Sequence, residues 1–133
     1  MVVGSEKSER WLVLEPIDDG SIRVMAVAGE VVREVALFDR LRLRQVGLSN
    51  LIFECKAQSA SATVGLALVN GTGSFTSARL AAAVMNTAHF LEGLPIALAK
   101  KRAASYRIRA VSVVRPLYSR PANITKAKKK LHF

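Results

Sequence analysis

Residues 68–98 read LVNGTGSFTSARLAAAVMNTAHFLEGLPIAL, and this stretch decides the predicted fold. The apolar run at 64–69 is typical of a central strand that is covered on both faces. After a loop with two glycines, apolar residues recur at helical spacing through residues 77–92, and Gly93 supplies a C-terminal stop. A second apolar run at 94–99 predicts the next strand. The stretch therefore predicts a strand, a crossover helix and a further strand.

The chain before this stretch predicts three strands and one helix. Apolar runs at 11–16, 22–28 and 31–37 are separated by turn signals, which predicts an antiparallel meander. The third strand is expected to continue through RLRLR at 40–44, because leucines and arginines alternate there with a period of two. A helix could also hold this segment. A serine suited to an N-cap begins the helical spacing of residues 49–59, which predicts a short helix.

The predicted order of elements is β-β-β-α-β-α-β, which indicates an α/β fold. This order is the ribonuclease H-like arrangement of the actin, Hsp70 and sugar-kinase type. It predicts a mixed five-stranded sheet with strand order 3-2-1-4-5 and helices on its faces. Residues 1–99 are expected to form this domain, and residues 100–133 a basic C-terminal arm. Alternation at 106–114 is compatible with one further strand.

The positive charge of the chain is concentrated in that arm. The net charge is +10, yet residues 1–99 contain nine basic and ten acidic residues, whereas residues 100–133 contain eleven basic residues and no acid. Such an arm attracts polyanions, above all RNA, through phosphate contacts and counterion release. It could also be a solvated tail or lie against an acidic protein partner. The candidate RNA contacts are Lys126, Lys128, Lys129 and Lys130.

Several classes of protein are not indicated by the sequence. No run of eighteen uncharged apolar residues occurs, so no membrane contact is expected. The N-terminus lacks the apolar region of a secretory signal. The single cysteine, Cys55, has no partner for an internal disulfide, which favours a reduced, cytoplasmic setting, and its apolar context favours the core. The histidines His89 and His132 are far apart, so no metal site, cofactor or catalytic set is expected.

The glycine-rich loop could hold a phosphate or could only shape the start of the helix. Gly71 and Gly73 would allow a phosphate to approach the backbone closely. A Walker loop would need a lysine after its glycines, and this loop has none. The only acids near the end of the first strand are Glu15 and Asp18, which are separated by a proline. The residues therefore favour a turn that fixes the packing of strand against helix.

The two predicted helices are candidates for a partner interface. The helix at 77–92 is apolar around more of its circumference than one sheet face needs to cover. Its alanine-rich strip would let another helix approach closely. The competing interpretation is that the basic arm covers this strip within the same chain. The predicted interface residues are Leu51, Ile52, Ala78, Ala81, Ala82, Met85 and His89.

The stretch at 68–98 resembles the signature of the TsaB family, also called YeaZ. The family pattern is a strand, Gly-Pro-Gly-Ser-Phe-Thr-Gly-x-Arg, a helix of small residues, and Gly-[Ile/Leu]-Pro before the next strand. Thr72 stands where the family has proline, Ser77 where it has glycine, and Glu15-Pro16-Ile17-Asp18 where it has an Asp-Thr-Ser turn. The matching residues are Gly71, Gly73, Ser74, Phe75, Thr76 and Arg79, followed by Gly93, Leu94 and Pro95.

The resemblance implies a function. TsaB proteins are the non-catalytic subunit of the bacterial machinery that makes threonylcarbamoyladenosine on tRNA. Their two N-terminal helices bind the catalytic subunit TsaD, and the same surface can pair two copies. A TsaE-like ATPase is a further implied partner, and tRNA would be contacted indirectly or through the basic arm. The chain resembles a shortened member, because a second domain usually follows the strand at 94–99. The alternative function is a small RNA-binding module without a catalytic partner.

Overall fold

The computed structural model describes residues 10–58 and 65–116. These residues form an α/β fold with one mixed sheet of six strands in the order β3-β2-β1-β4-β5-β6. The elements in chain order are β1 (Arg10–Pro16), β2 (Ile22–Ala28), β3 (Val31–Phe38), α1 (Arg40–Val46), α2 (Leu48–Gln58), β4 (Gly65–Val69), α3 (Phe75–Glu92), β5 (Ile96–Arg102) and β6 (Ser105–Val111).

The strand pairing agrees with the predicted order 3-2-1-4-5 and adds a sixth strand. β1, β2 and β3 form an antiparallel meander, and β1, β4 and β5 are parallel neighbours. The prediction of five strands is wrong, because β6 pairs with β5 along its whole length, from Ile96 opposite Val111 to Arg102 opposite Ser105. β6 covers residues 106–111 of the stretch 106–114 in which a further strand was considered, and the first part of the predicted basic arm belongs to the sheet.

Residues 40–44 form part of a helix, so the predicted extension of the third strand is wrong. β3 ends at Phe38, and the Asp39 side chain accepts a hydrogen bond of 2.8 Å from the backbone N–H of Arg42. This N-cap starts α1, and Gly47, with φ +94°, ends it by donating its N–H to the Leu43 carbonyl. The side chain of Leu43 is buried and that of Leu41 is exposed. The alternation of leucines and arginines at 40–44 therefore does not place both leucines in the core.

The three helices all pack on one face of the sheet. The larger core cluster joins this face to α1, α2 and α3, and it contains the buried Cys55. A smaller cluster lies on the opposite face, to which no described helix contributes. Its buried members are Trp11, Val13, Met25, Val27, Ala67, Val69, Ala97 and Ala99.

The opposite face is covered in part by the β5–β6 ribbon, residues 96–111, which curls over it. Tyr106 and Ile108 pack against the smaller cluster. The Tyr106 hydroxyl donates to the sulfur of Met25 at 3.2 Å, and the Ser105 hydroxyl donates to the carbonyl of Gly29 at 3.0 Å. Because β5, β4 and β1 separate β6 from β2 in the sheet, these contacts require a strong bend. Burial of the Tyr106 side chain against the smaller cluster raises the pKa of its hydroxyl.

Candidate functional site

The glycine-rich loop closes tightly on the end of β1. A Cβ atom added at Gly73 would lie 2.4 Å from the backbone carbon of Pro16, and Gly73 has φ +81°. The Thr72 hydroxyl donates to the Pro16 carbonyl at 3.3 Å, and the Ser74 N–H donates to the Ile17 carbonyl at 3.2 Å. Close approach of the chain to itself therefore accounts for the glycine at 73.

The rest of the loop starts α3. Ser74 is the N-cap, and its Oγ accepts a hydrogen bond of 3.1 Å from the N–H of Ser77. The two serine hydroxyls also contact each other at 2.8 Å. Arg79 lies over the ring of Phe75, with 5.0 Å from its guanidinium carbon to the ring centroid. The hydroxyls of Ser74 and Ser77 thus serve the helix start, and Thr76 is exposed.

A cavity of about 540 Å³ lies between the β1–β2 turn, α1 and the start of α3. This position, beyond the carboxyl end of β1, is where open α/β sheets commonly bind ligands. The cavity is lined by two arginines, Arg40 and Arg44, and by two aspartates, Asp18 and Asp19. The Ser21 hydroxyl and N–H bind the Asp19 carboxylate and hold its pKa below the usual value. The two arginines and two aspartates together contribute no net charge to the lining.

The predicted interface residues lie inside the chain rather than on its surface. Their side chains pack between the helices and the sheet, so the strip of small residues on α3 approaches the chain's own sheet. The prediction that these six side chains lie on an exposed surface is therefore wrong. The six are Leu51, Ile52, Ala78, Ala81, Ala82 and Met85, each at most 5% exposed.

Other apolar side chains form the exposed surface of the two helices. Phe53 on α2 is 72% exposed and Leu91 on α3 is 70% exposed. They border a groove of about 270 Å³ between the helices, whose lining includes Val84 and Ala88. We call Phe53, Val84, Ala88 and Leu91 the α2–α3 surface. Phe90, which precedes Leu91 on α3, is 85% exposed. Sequence periodicity missed Phe53 and Phe90.

His89, the seventh predicted interface residue, has a role at the end of α3. Its Nδ1 lies 2.9 Å from the carbonyl oxygen of Leu94, and its own carbonyl accepts the N–H of Gly93. Since the Leu94 carbonyl can only accept, Nδ1 carries the proton in this arrangement. Among residues 10–58 and 65–116, no group of three or more His, Cys, Asp and Glu side chains could hold a metal ion.

Asn86 attaches the segment after β6 to α3, and sequence analysis did not identify it. Its side-chain amide donates to the Val114 carbonyl at 2.8 Å, and its side-chain oxygen accepts the Val114 N–H at 2.8 Å. Val114 is buried in the larger core cluster, and Asn70 donates to the carbonyl of Arg115. The start of the predicted tail is thus part of the folded core.

We predict that Asn86→Ala lowers the free energy of unfolding by about 2 kcal/mol, because the N–H and carbonyl of Val114 lose their partner in a partly buried site. Urea denaturation of the full chain measures this change. Thr87→Ala, at the exposed neighbouring position, should change the stability by less than about 0.5 kcal/mol. Equal stability of the two variants would contradict the role of Asn86.

Basic side chains cluster on the β5–β6 ribbon. Lys100, Lys101, Arg102, Arg107 and Arg109 are all exposed. The lysines predicted to contact RNA, Lys126, Lys128, Lys129 and Lys130, lie outside the described residues, as does residue 59 of the predicted first helix.

The described residues thus form a small α/β protein with a mixed sheet, three helices on one face and an exposed apolar surface on two of them. The sequence matches no protein-family model and no curated protein sequence. The structure is similar to that of YeaZ from Pseudomonas aeruginosa, with a TM-score of 0.50 and 14% sequence identity over 84% of this chain and 73% of that chain. This likeness supports a YeaZ-like fold. None of the helices in the two described ranges is both long and apolar enough to span a bilayer.

Proposed function

We propose that this chain is a non-catalytic scaffold subunit of the tRNA threonylcarbamoyladenosine machinery, with a ribonuclease H-like fold. Its partner would be a TsaD-like catalytic subunit, and the role is cytoplasmic. Two observations support the proposal: the YeaZ-like fold, and the family motif in the loop from Gly71 to Arg79. The observation that carries it is the α2–α3 surface, which exposes large apolar side chains on α2 and α3.

The surface is suited to another protein because of its shape and composition. Phe53 on α2 and Leu91 on α3 both line the groove, whose lining also includes smaller apolar side chains such as Ala88. An apolar anchor from a partner helix could fill this groove, as in helix-in-groove recognition. Aromatic residues that bury fully at the centre of an interface are frequent hot spots.

The free energy gained by burying these apolar side chains in a partner is large enough to support binding. Burying Phe53 and Leu91 in a partner would contribute about 3–6 kcal/mol, since each large apolar side chain is worth about 1.5–3 kcal/mol. Association costs reduce this sum, and the remaining contacts must offset them. The exposed side chains therefore give a reason for binding, and the partner's complementary surface determines the affinity.

The test is binding of the full chain to the TsaD-like protein encoded by the same organism. We expect Phe53→Asp combined with Leu91→Asp to weaken binding at least about 30-fold, because two apolar anchors are lost and two charges are desolvated. Isothermal titration calorimetry measures the affinity. The same variant should reduce threonylcarbamoyladenosine formation when the modification reaction is reconstituted from purified components.

The matched control is Leu37→Asp combined with Leu41→Asp, since these leucines are 53% and 59% exposed on β3 and α1. This control should bind the partner as the unchanged chain does. Unchanged binding by the Phe53 and Leu91 variant would refute the surface. Self-association of the free chain, seen by sedimentation and lost in that variant, would instead assign the surface to a homodimer.

A further inference from the structure

The β5–β6 ribbon carries four cations on one face. In the register of the two strands, Lys100 lies opposite Arg107 and Leu98 lies opposite Arg109. Residues directly opposite each other point to the same side of a sheet, and sides alternate along each strand. Lys100, Arg102, Arg107 and Arg109 therefore share one face, which we call the basic ribbon face. Tyr106 and Ile108 lie on the other side, toward the smaller core cluster.

These cations are not neutralised by the described part of the chain. Both ion pairs between described residues involve Arg23, which pairs with Glu15 and Glu34. The sequence contains no acidic residue after Glu92. Lys100 and Arg107 lie directly opposite each other, an arrangement of like charges that destabilises a strand pair. The face is therefore a site of concentrated positive charge that a bound polyanion would stabilise.

The composition of the face distinguishes between a nucleic acid and an acidic protein. Protein interfaces depend on aromatic or large apolar anchors. The side of the ribbon that carries the four cations has no aromatic side chain, and its large apolar residues are buried (Ile96) or partly buried (Leu98 and Val111). A recess of about 610 Å³ follows the ribbon edge and is lined by Asn70, Lys100, Arg107 and Arg109, among others. Cations around a recess fit phosphate groups, which are bound without base recognition.

We propose that the basic ribbon face binds the sugar-phosphate backbone of a nucleic acid, independently of sequence. The contact consists of the four cations on the ribbon, with Lys100 and Arg107 at its centre. This site is separate from the α2–α3 surface and does not depend on the proposed scaffold function. RNA and DNA share the phosphate chemistry, so both are expected to bind.

The test is fluorescence anisotropy of the full chain with a labelled 20-nucleotide single-stranded RNA of mixed sequence. We expect Lys100→Glu combined with Arg107→Glu to weaken RNA binding at least about tenfold in 100 mM salt. Two lost phosphate contacts should also reduce the slope of log affinity against log salt by roughly 1.5. DNA of the same sequence should bind and respond in the same way.

The control for net charge is Arg42→Glu combined with Arg44→Glu, on α1, because both pairs lower the net charge of +10 by the same amount. The control should change RNA affinity less than about threefold. An equal loss in the two variants would overturn the proposal, because net charge alone would then explain binding. Unchanged binding by the ribbon variant would also overturn it. Tighter binding of a 20-residue polyglutamate peptide than of RNA would assign the face to an acidic protein.

The single variant Lys100→Glu separates binding from folding. It places an acid opposite Arg107, so a cross-strand ion pair should form and the melting temperature should not fall. RNA binding should nevertheless weaken. A loss of RNA binding that occurs only together with a lower melting temperature would overturn the proposal. If the double charge reversal does not fold, Lys100→Gln combined with Arg107→Gln gives the same comparison.

Discussion

Gly73→Ala is expected to lower the free energy of unfolding by about 3–5 kcal/mol. The residue has φ +81°, a conformation that costs a non-glycine residue about 1–3 kcal/mol. The added Cβ would also lie 2.4–2.5 Å from backbone atoms of Pro16, which cannot move without shifting β1. Overpacking of this kind typically costs about another 1–3 kcal/mol. Urea denaturation followed by circular dichroism measures the loss.

Gly71→Ala is the matched control in the same loop. Gly71 has a similar φ of +84°, but no atom lies within 4 Å of the position of an added Cβ. It should therefore show the conformational cost alone, about 1–3 kcal/mol. Equal destabilisation by the two substitutions would mean that the contact with Pro16 is not the reason for the glycine at 73.

Met85→Asp is expected to destabilise the chain by about 5 kcal/mol or more, enough to abolish cooperative unfolding in a domain of ordinary stability. Met85 is fully buried between α3 and the sheet, so the substitution removes an apolar side chain and buries a charge. Thermal denaturation of the full chain measures the effect. A partner-binding assay with this variant would report unfolding rather than the loss of an interface.

Ala83→Asp provides the comparison on the same helix. Ala83 is exposed, so its substitution should change stability by no more than about 1 kcal/mol, mainly through helix propensity. A Met85→Asp variant that unfolds at the same temperature as the Ala83→Asp variant would show that Met85 does not lie in the core.

Local sequence patterns predicted most of the elements. Apolar runs bounded by turn signals located the strands of the meander and β4, and the period of 3.6 residues located α3, since these patterns reflect which side chains face the core. Gly93 adopts the left-handed conformation at the end of α3, as predicted. The serine predicted as an N-cap, Ser49, lies instead inside α2, which starts at Leu48. The failure at residues 40–44 has a local cause. Asp39 supplies a helix N-cap, and this outweighed an alternation that buries only Leu43.

The orientation of α3 could not be predicted from its own residues. It has two adjoining apolar strips, one of alanines and Met85 and one that ends at Leu91. Small residues permit close approach to a sheet as well as to another helix. Sequence analysis assigned the small strip to a partner helix, whereas the structure packs it on the chain's own sheet. The aromatic residues Phe53 and Phe90, which remain exposed, were therefore missed.

Contacts between residues that are far apart in the sequence also could not be predicted from local patterns. The two hydrogen bonds of Asn86 to Val114 depend on where the segment after β6 passes α3. An asparagine within a helix has no periodic signal that predicts such a partner. The basic ribbon face likewise required the pairing register of β5 and β6, although the alternation of arginines at 107 and 109 was visible in the sequence.

The curl of the β5–β6 ribbon has a consequence for the order of folding. Ser105 and Tyr106 reach partners 76 and 81 positions earlier in the chain, so the loop that they close is long. Closing a long loop costs chain entropy before any native contact offsets that cost, whereas the hairpins of the first three strands close short loops. We expect ribbon docking to be a late step, completed after the meander has formed. Amide protons of the ribbon should then gain protection last in a pulse-labelling experiment.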